Sequence, residues 1–235
     1  MSKLLLLSNS TMPGTSFFSW PRPYVKEFLG KELKEVVFIP FAAVSLSYDA
    51  YFATVSQAFD AMGYGVRSVH TVSDKKGLIK TARAIVVGGG NTFALLSKMY
   101  EHDLLSGVKA RVATGAPYIG WSAGANLACP TLKTTNDMPV VMPSSFDALN
   151  VIPFQINPHY HELRFETLGG ETRKERIVEF LLLNPGKKVI GLPEGMLIVR
   201  DGKLLKIRGE GTAKLFGSGK SISDLREGAD ISFLL

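Results

Sequence analysis

The chain is written in short, unbroken apolar runs, each closed by small or polar residues and followed by helical spacing. Lys3–Leu7 ends in Ser8-Asn9-Ser10-Thr11, and Glu35–Ile39 ends at Pro40. Residues 66–70 and 84–87 make two more runs, the latter stopping at Gly88-Gly89-Gly90-Asn91, and 117–120 is a fifth. Asp49 is expected to cap a helix reaching Met62 and stopped by Gly63. Residues 92–100 and 104–113 have the apolar spacing of helices. Strands without an exposed alternate face, interleaved with helices, predict an α/β fold with a mostly parallel sheet flanked by helices. Ligands of such sheets meet the loops at the carboxyl ends of the strands. Those loops are 8–10, 40–43, 88–91 and 121–126, where the unusual residues gather.

The second half is less regular. Residues 131–150 are polar and proline-punctuated, and 154–156 is a brief extended run entering Asn157-Pro158-His159-Tyr160-His161. Residues 171–183 are expected to be helical, with Ile177, Val178, Leu181 and Leu182 inward, and 188–191 extended. Two runs, 196–200 and 203–207, flank Asp201-Gly202 and predict a hairpin, a small antiparallel C-terminal edge on the sheet. No linker or repeat divides the chain, so residues 1–235 are expected to form one domain.

Composition narrows the function. With 46% hydrophobic and 20% charged residues the chain has material for a core. Its apolar runs are far too short to cross a bilayer, and the four leucines after Lys3 are too few for a signal peptide. One cysteine, Cys129, excludes an internal disulfide framework. The net charge is 27 − 21 = +6, but basic residues never run longer than two, and no aromatic-interleaved basic stripe fits a nucleic-acid groove. A cytoplasmic protein with no nucleic-acid or membrane partner is expected.

The string Gly120-Trp121-Ser122-Ala123-Gly124 matches Gly-x-Ser-x-Gly between a predicted strand and a predicted helix. A tight turn there thrusts the serine hydroxyl outward, and the amide of Ala123, at the helix start, is aimed to bind an oxyanion. The triple glycine lacks the Lys-Ser/Thr of a phosphate loop, so Gly90 is a candidate second oxyanion donor, beside the plain reading of a tight turn. A serine nucleophile needs a base. His70 and His102 read as ordinary surface or cap residues. His159 and His161 sit in a loop at the active edge, and Pro158 stiffens the approach of His159. The His-x-His pair lacks partners for a zinc set, so no metal or organic cofactor is expected. A carboxylate should orient the imidazole. Asp137 and Glu194 compete for that place, and the residues alone leave both standing.

These residues carry a resemblance. Strings spread over nearly the whole chain resemble the α-aspartyl dipeptidase family of serine peptidases, peptidase E. They include Leu-Leu-Leu-Leu-Ser-Asn-Ser-Thr at 4–11, Val-Gly-Gly-Gly-Asn-Thr-Phe at 87–93 and Tyr-Ile-Gly-Trp-Ser-Ala-Gly-Ala-Asn-Leu-Ala-Cys-Pro-Thr at 118–131. Thr-Thr-Asn-Asp-Met-Pro at 134–139, Gln-Ile-Asn-Pro-His at 155–159, Gly-Glu-Thr-Arg at 170–173 and Gly-Leu-Pro-Glu-Gly at 191–195 continue it. The resemblance implies a fold like that of class I glutamine amidotransferases and cleavage after an N-terminal aspartate. It implies Ser122 as nucleophile, His159 as base and Asp137 as the relay acid, with Glu194 its rival. Arg173 would grip the substrate's aspartyl carboxylate, although without the resemblance it reads as a solvated helix charge, and Asn91 would contact substrate. The partners implied are small peptides with an N-terminal aspartate, and a homodimer is admitted. Rival functions are hydrolysis of isoaspartyl or cyanophycin-like peptides, or non-catalytic binding on the same scaffold.

Overall fold

The computed structural model describes residues 2–163, 170–217 and 222–235. In chain order its elements are β1 (Lys3–Leu7), α1 (Arg22–Leu29), β2 (Glu35–Ile39), α2 (Tyr48–Asp60), β3 (Gly65–Ser68), α3 (Lys75–Thr81), β4 (Ile85–Val87), α4 (Thr92–Glu101) and α5 (Leu105–Ala113). There follow β5 (Tyr118–Trp121), α6 (Ala123–Leu127), β6 (Gln155–Pro158), α7 (Arg173–Leu183), β7 (Val189–Leu192), β8 (Met196–Asp201), β9 (Leu204–Gly209), β10 (Ala213–Phe216) and β11 (Ile222–Leu225).

Among the described residues, seven strands form one sheet in the order β3-β2-β4-β5-β1-β8-β9. The first five are parallel, while β8 and β9 add antiparallel pairs at the β1 side. The leucine run explains the layering. Leu4 and Leu6 pack on one face with Ile85, Val87 and Tyr118, whereas Leu5 and Leu7 pack on the other with Phe38, Val86, Ile119 and Trp121. A strand apolar on both faces must be covered on both, and helices do this: Leu95 and Val108 on the first face, Val25 and Val55 on the second. At roughly 25 cal/mol per Å² of apolar surface, burying each leucine contributes about 1.5–3 kcal/mol.

Several details differ from the sequence expectations. The α2 helix is capped by Ser47, whose Oγ accepts the Ala50 N–H at 3.2 Å. Asp49 lies inside the first turn and pairs with His70 at 3.0 Å; serine and aspartate are equally good caps, so spacing alone did not choose. In α7 the cap is Thr172, in a reciprocal capping box with Glu175. Ile177 and Leu181, one turn apart, are its buried residues, and Leu182 is exposed because it falls about 100° round the helix from Leu181. The hairpin turns at Gly202-Lys203, since Asp201 still pairs with Leu204. The strands β6 and β7 do not extend the main sheet. They build a second one, ordered β11-β10-β7-β6, with β6 and β7 parallel. No helix among the described residues is long and apolar enough to cross a membrane.

Candidate active site

The Gly-x-Ser-x-Gly string folds as a sharp corner between β5 and α6. Ser122 sits there with φ 50° and ψ −110°, a conformation rare for a residue with a side chain and costing about 1–3 kcal/mol. Close approach explains the two glycines. A Cβ on Gly120 would collide with the carbonyl of Gly124, and one on Gly124 with the carbonyl of Val87 in β4. The corner is held on both sides: the Ser122 N–H donates to Leu7 O at 3.0 Å, and its carbonyl accepts from the amides of Ala125 and Asn126. The Asn126 side chain, buried, donates to Ile156 O at 2.8 Å and so ties α6 to β6.

His159 follows β6, also with a positive φ of 53°. Its Nε2 lies 2.9 Å from Ser122 Oγ, and its Nδ1 lies 2.7 Å from Glu194 Oε1. With the proton on Nδ1, directed at the carboxylate, Nε2 offers its lone pair to the serine hydroxyl. One short segment aligns these three residues. Leu7 fixes the amide of Ser122. The buried hydroxyl of Ser8 accepts the His159 N–H at 2.8 Å and donates to Leu192 O at 2.8 Å. Asn9 Oδ1 accepts the Gly195 N–H at 3.0 Å, beside Glu194. Sequence reasoning singled out the loop 8–10 without assigning Ser8 or Asn9 a task.

Asp137 is placed elsewhere. Its Oδ2 accepts both the N–H and the hydroxyl of Thr92, at 2.7 and 2.5 Å, at the first turn of α4. Of the two candidate acids, Glu194 is the one beside Nδ1 of His159. Asn91, expected to contact substrate, lines the cleft beside Ser122. Its Oδ1 caps α4 through the Ala94 N–H at 3.0 Å and its Nδ2 donates to Met138 O at 2.9 Å, so the side chain is engaged in binding loop to helix. Asp137 and Asn91 thus latch the 137–138 segment onto the triple-glycine loop.

That loop lies against the serine: a Cβ on Gly89 would stand 3.1 Å from Ser122 Cβ. Gly88 and Asn91 spend their amides on Ile39 and Ala42. Among the described residues no protein acceptor takes the amides of Gly89 or Gly90. The amide of Ala123, first in α6, likewise has no carbonyl one turn before it. A cleft of about 640 Å³ opens here, lined by Ser122, His159, Glu194, Asp137, Gly90 and Asn91, with Val44, Leu46 and Phe17 on its apolar rim.

A second cavity, of about 490 Å³, shares His159 and Glu194 with the first and adds Tyr160, His161 and Arg173. Arg173 starts α7 and donates to Pro158 O at 3.2 Å. Burial, then the neighbouring Arg176, pull its guanidinium below the usual arginine range, while Glu194 and Asp137 oppose this. Burial, then Arg173, also lower the basicity of His161, while Glu194 opposes this. Among the described residues the buried His161 Nδ1 has no partner. No three His, Cys, Asp or Glu side chains among the described residues gather as a metal site.

The chain is similar to known proteins over nearly its whole length. Residues 4–208 match the model of peptidase family S51. A peptidase E from Nostoc sp. is 46% identical over 100% of this chain and 98% of its own. One from Citrobacter koseri is 45% identical over 96% and 98%. In solved structures, a peptidase E protein from Listeria monocytogenes superposes with a TM-score of 0.69 at 25% identity, covering 90% of this chain and 100% of that one. A peptidase from an acI-B1 actinobacterium, at 19% identity and TM-score 0.73, shares the fold over 99% and 97%. The resemblance read from the motifs is thereby borne out, and the chain belongs to peptidase family S51, as a serine-type peptide hydrolase.

Proposed function

We propose that this protein is a dipeptidase that hydrolyses the bond after an N-terminal aspartate, through an acyl-enzyme on Ser122. The observation that carries the reading is the Ser122–His159–Glu194 chain of contacts, 2.9 and 2.7 Å long, at the junction of two cavities. His159 takes the hydroxyl proton as Ser122 Oγ bonds to the carbonyl carbon, and Glu194 stabilises the imidazolium that forms. The amides of Ala123 and Gly90 hold the oxyanion. His159 then gives its proton to the leaving amine as the C–N bond breaks. Water, deprotonated by the same imidazole, releases the aspartate and restores the hydroxyl.

Arg173 supports the acidic preference. A guanidinium beside the shared His159–Glu194 wall matches a carboxylate bidentately, and its partial desolvation strengthens the pairing. The apolar rim of the larger cleft fits the side chain of the leaving residue.

The test is hydrolysis of Asp-Leu, β-linked Asp-Leu and Asn-Leu by the purified protein and two variants. Ser122→Ala should abolish turnover while keeping the melting temperature. Arg173→Ala should cut kcat/KM for Asp-Leu by at least about thirtyfold, the effect of leaving a desolvated charge unpaired, and spare Asn-Leu. Preference for the β-linked peptide, or full activity in Ser122→Ala, would overturn the proposal.

A further inference from the structure

Tyr51, from α2, lines the larger cleft, is buried and has no part in the reaction described above. Its hydroxyl donates to Gly89 O at 3.1 Å and accepts the Trp121 Nε1–H at 3.1 Å. A phenol has one proton to give and lone pairs to receive, so the two contacts fix the direction of both bonds. The carbonyl of Gly89 and the N–H of Gly90 belong to one peptide unit. A hydrogen bond to that oxygen therefore fixes the plane carrying the Gly90 N–H and draws electron density away from it, which sharpens it as a donor.

We propose that Tyr51 is a positioning residue for the oxyanion hole, acting through the Gly89–Gly90 peptide. The inference rests on the reading of Ser122 as nucleophile and adds the element that holds its electrostatic partner still. Three glycines make the 88–90 loop pliable, and a donor that swings cannot stabilise charge without reorganising first. Tyr51 removes that freedom. A Cβ on Gly88 would lie 2.6 Å from the Tyr51 hydroxyl, so the loop rests directly on the phenol. Trp121 is the residue before Ser122, and its indole stacks on Phe38 at 6.3 Å. The sequence Trp121–Tyr51–Gly89 thus couples the serine corner to the glycine loop, the two carriers of oxyanion donors. Burial raises the phenol's pKa far above its ordinary value, against the opposing hydrogen bonds of Trp121 and Gly89, so the hydroxyl keeps the proton it donates.

The experiment compares wild type with Tyr51→Phe, which keeps the ring and removes the hydroxyl. Loss of an oxyanion donor costs roughly 10²–10³ in kcat. Loosening one should cost about 5- to 30-fold, with KM within about twofold, since ground-state binding does not use the hole. The acyl-enzyme formed from an aspartyl ester should show its carbonyl infrared band at higher frequency in the variant, because a weaker hydrogen bond leaves a stiffer C=O. Site-specific 3-fluorotyrosine at position 51 retains shape and hydroxyl, so its kcat should equal or exceed that of wild type. The inference falls if Tyr51→Phe keeps kcat within about twofold, if the carbonyl band does not move, or if fluorotyrosine loses as much as phenylalanine. If wild type itself forms no acyl-enzyme, the nucleophile reading fails first, and the two failures are told apart.

Discussion

Replacing each candidate acid by its amide separates Glu194 from Asp137. The Glu194–His159 contact is 2.7 Å, with side chains 42% and 35% exposed. Opposite charges about 4 Å apart attract by about 4 kcal/mol at an effective dielectric of 20 and about 1 kcal/mol in bulk water. A half-open pair lies between those limits. When His159 becomes imidazolium, Glu194→Gln should forfeit about 2–3 kcal/mol of transition-state stabilisation, which at 1.36 kcal/mol per decade is roughly a hundredfold in kcat. That is below the ~10⁴ lost when a buried triad aspartate becomes asparagine, as solvent screening requires. KM should hold, because the charge develops only during the reaction.

Asp137→Asn should behave differently. It weakens two charge-assisted hydrogen bonds to Thr92, costing about 1–2 kcal/mol of stability. At 2–4 °C per kcal/mol for a chain of this size, the melting temperature should drop by roughly 2–8 °C, while kcat stays within about threefold. Steady-state kinetics on Asp-Leu and thermal melts of both variants decide. A hundredfold loss of kcat in Asp137→Asn with an unmoved melt, beside a nearly active Glu194→Gln, would refute the assignment.

Ser8→Ala orphans the His159 N–H and takes one of two donors from the Leu192 carbonyl, which keeps the Tyr160 N–H at 3.1 Å. At about 1–3 kcal/mol per orphaned group it should lower both melting temperature and kcat with KM held; an unchanged melt and kcat would deny Ser8 its aligning part. Cys129, wholly buried, has its thiol pushed up to about 12 by burial, against a small opposing effect of the Ile156 N–H. Iodoacetamide should therefore leave native protein unlabelled at mildly alkaline pH and label it in urea. The sign follows from a native value above the unfolded one: the contribution is complete below the unfolded thiol's pKa and is lost as pH climbs toward 12. Native labelling at the rate of a free thiol would contradict this.

Local chemistry explains what was legible in the sequence. The strands β1 and β2 begin and end where their apolar runs do, because burial on both faces allows no polar interruption. The corner at Ser122 was legible because only glycine tolerates the carbonyls of Gly124 and Val87 at its flanks. Proline hid α1: Pro21 and Pro23 look like breakers, yet Pro21 is its cap and Pro23 stands in its first turn, where a missing N–H costs nothing. The second sheet was invisible, since a run such as 188–191 reads the same whichever sheet it joins. The acid was undecided for a related reason. Asp137 and Glu194 are both carboxylates in loops, and only the pairing of β6 with β7 brings residue 194 to residue 159. The grip of Ser8 on His159 spans 151 positions and leaves no local trace.

The segment Leu7–Asn9 is synthesised more than 180 residues before Leu192 and Gly195, which it grasps. The antiparallel register of Leu7 on Leu197 sets that late stretch beside it. A ribosome-bound intermediate lacking the last strands would already hold the serine and the imidazole, yet Ser8 would have no Leu192 carbonyl to bind and Nδ1 no glutamate. The contacts that align His159 therefore form only once residues 192–195 have been made, and turnover becomes a sensitive gauge of whether that stretch has met Leu7–Asn9.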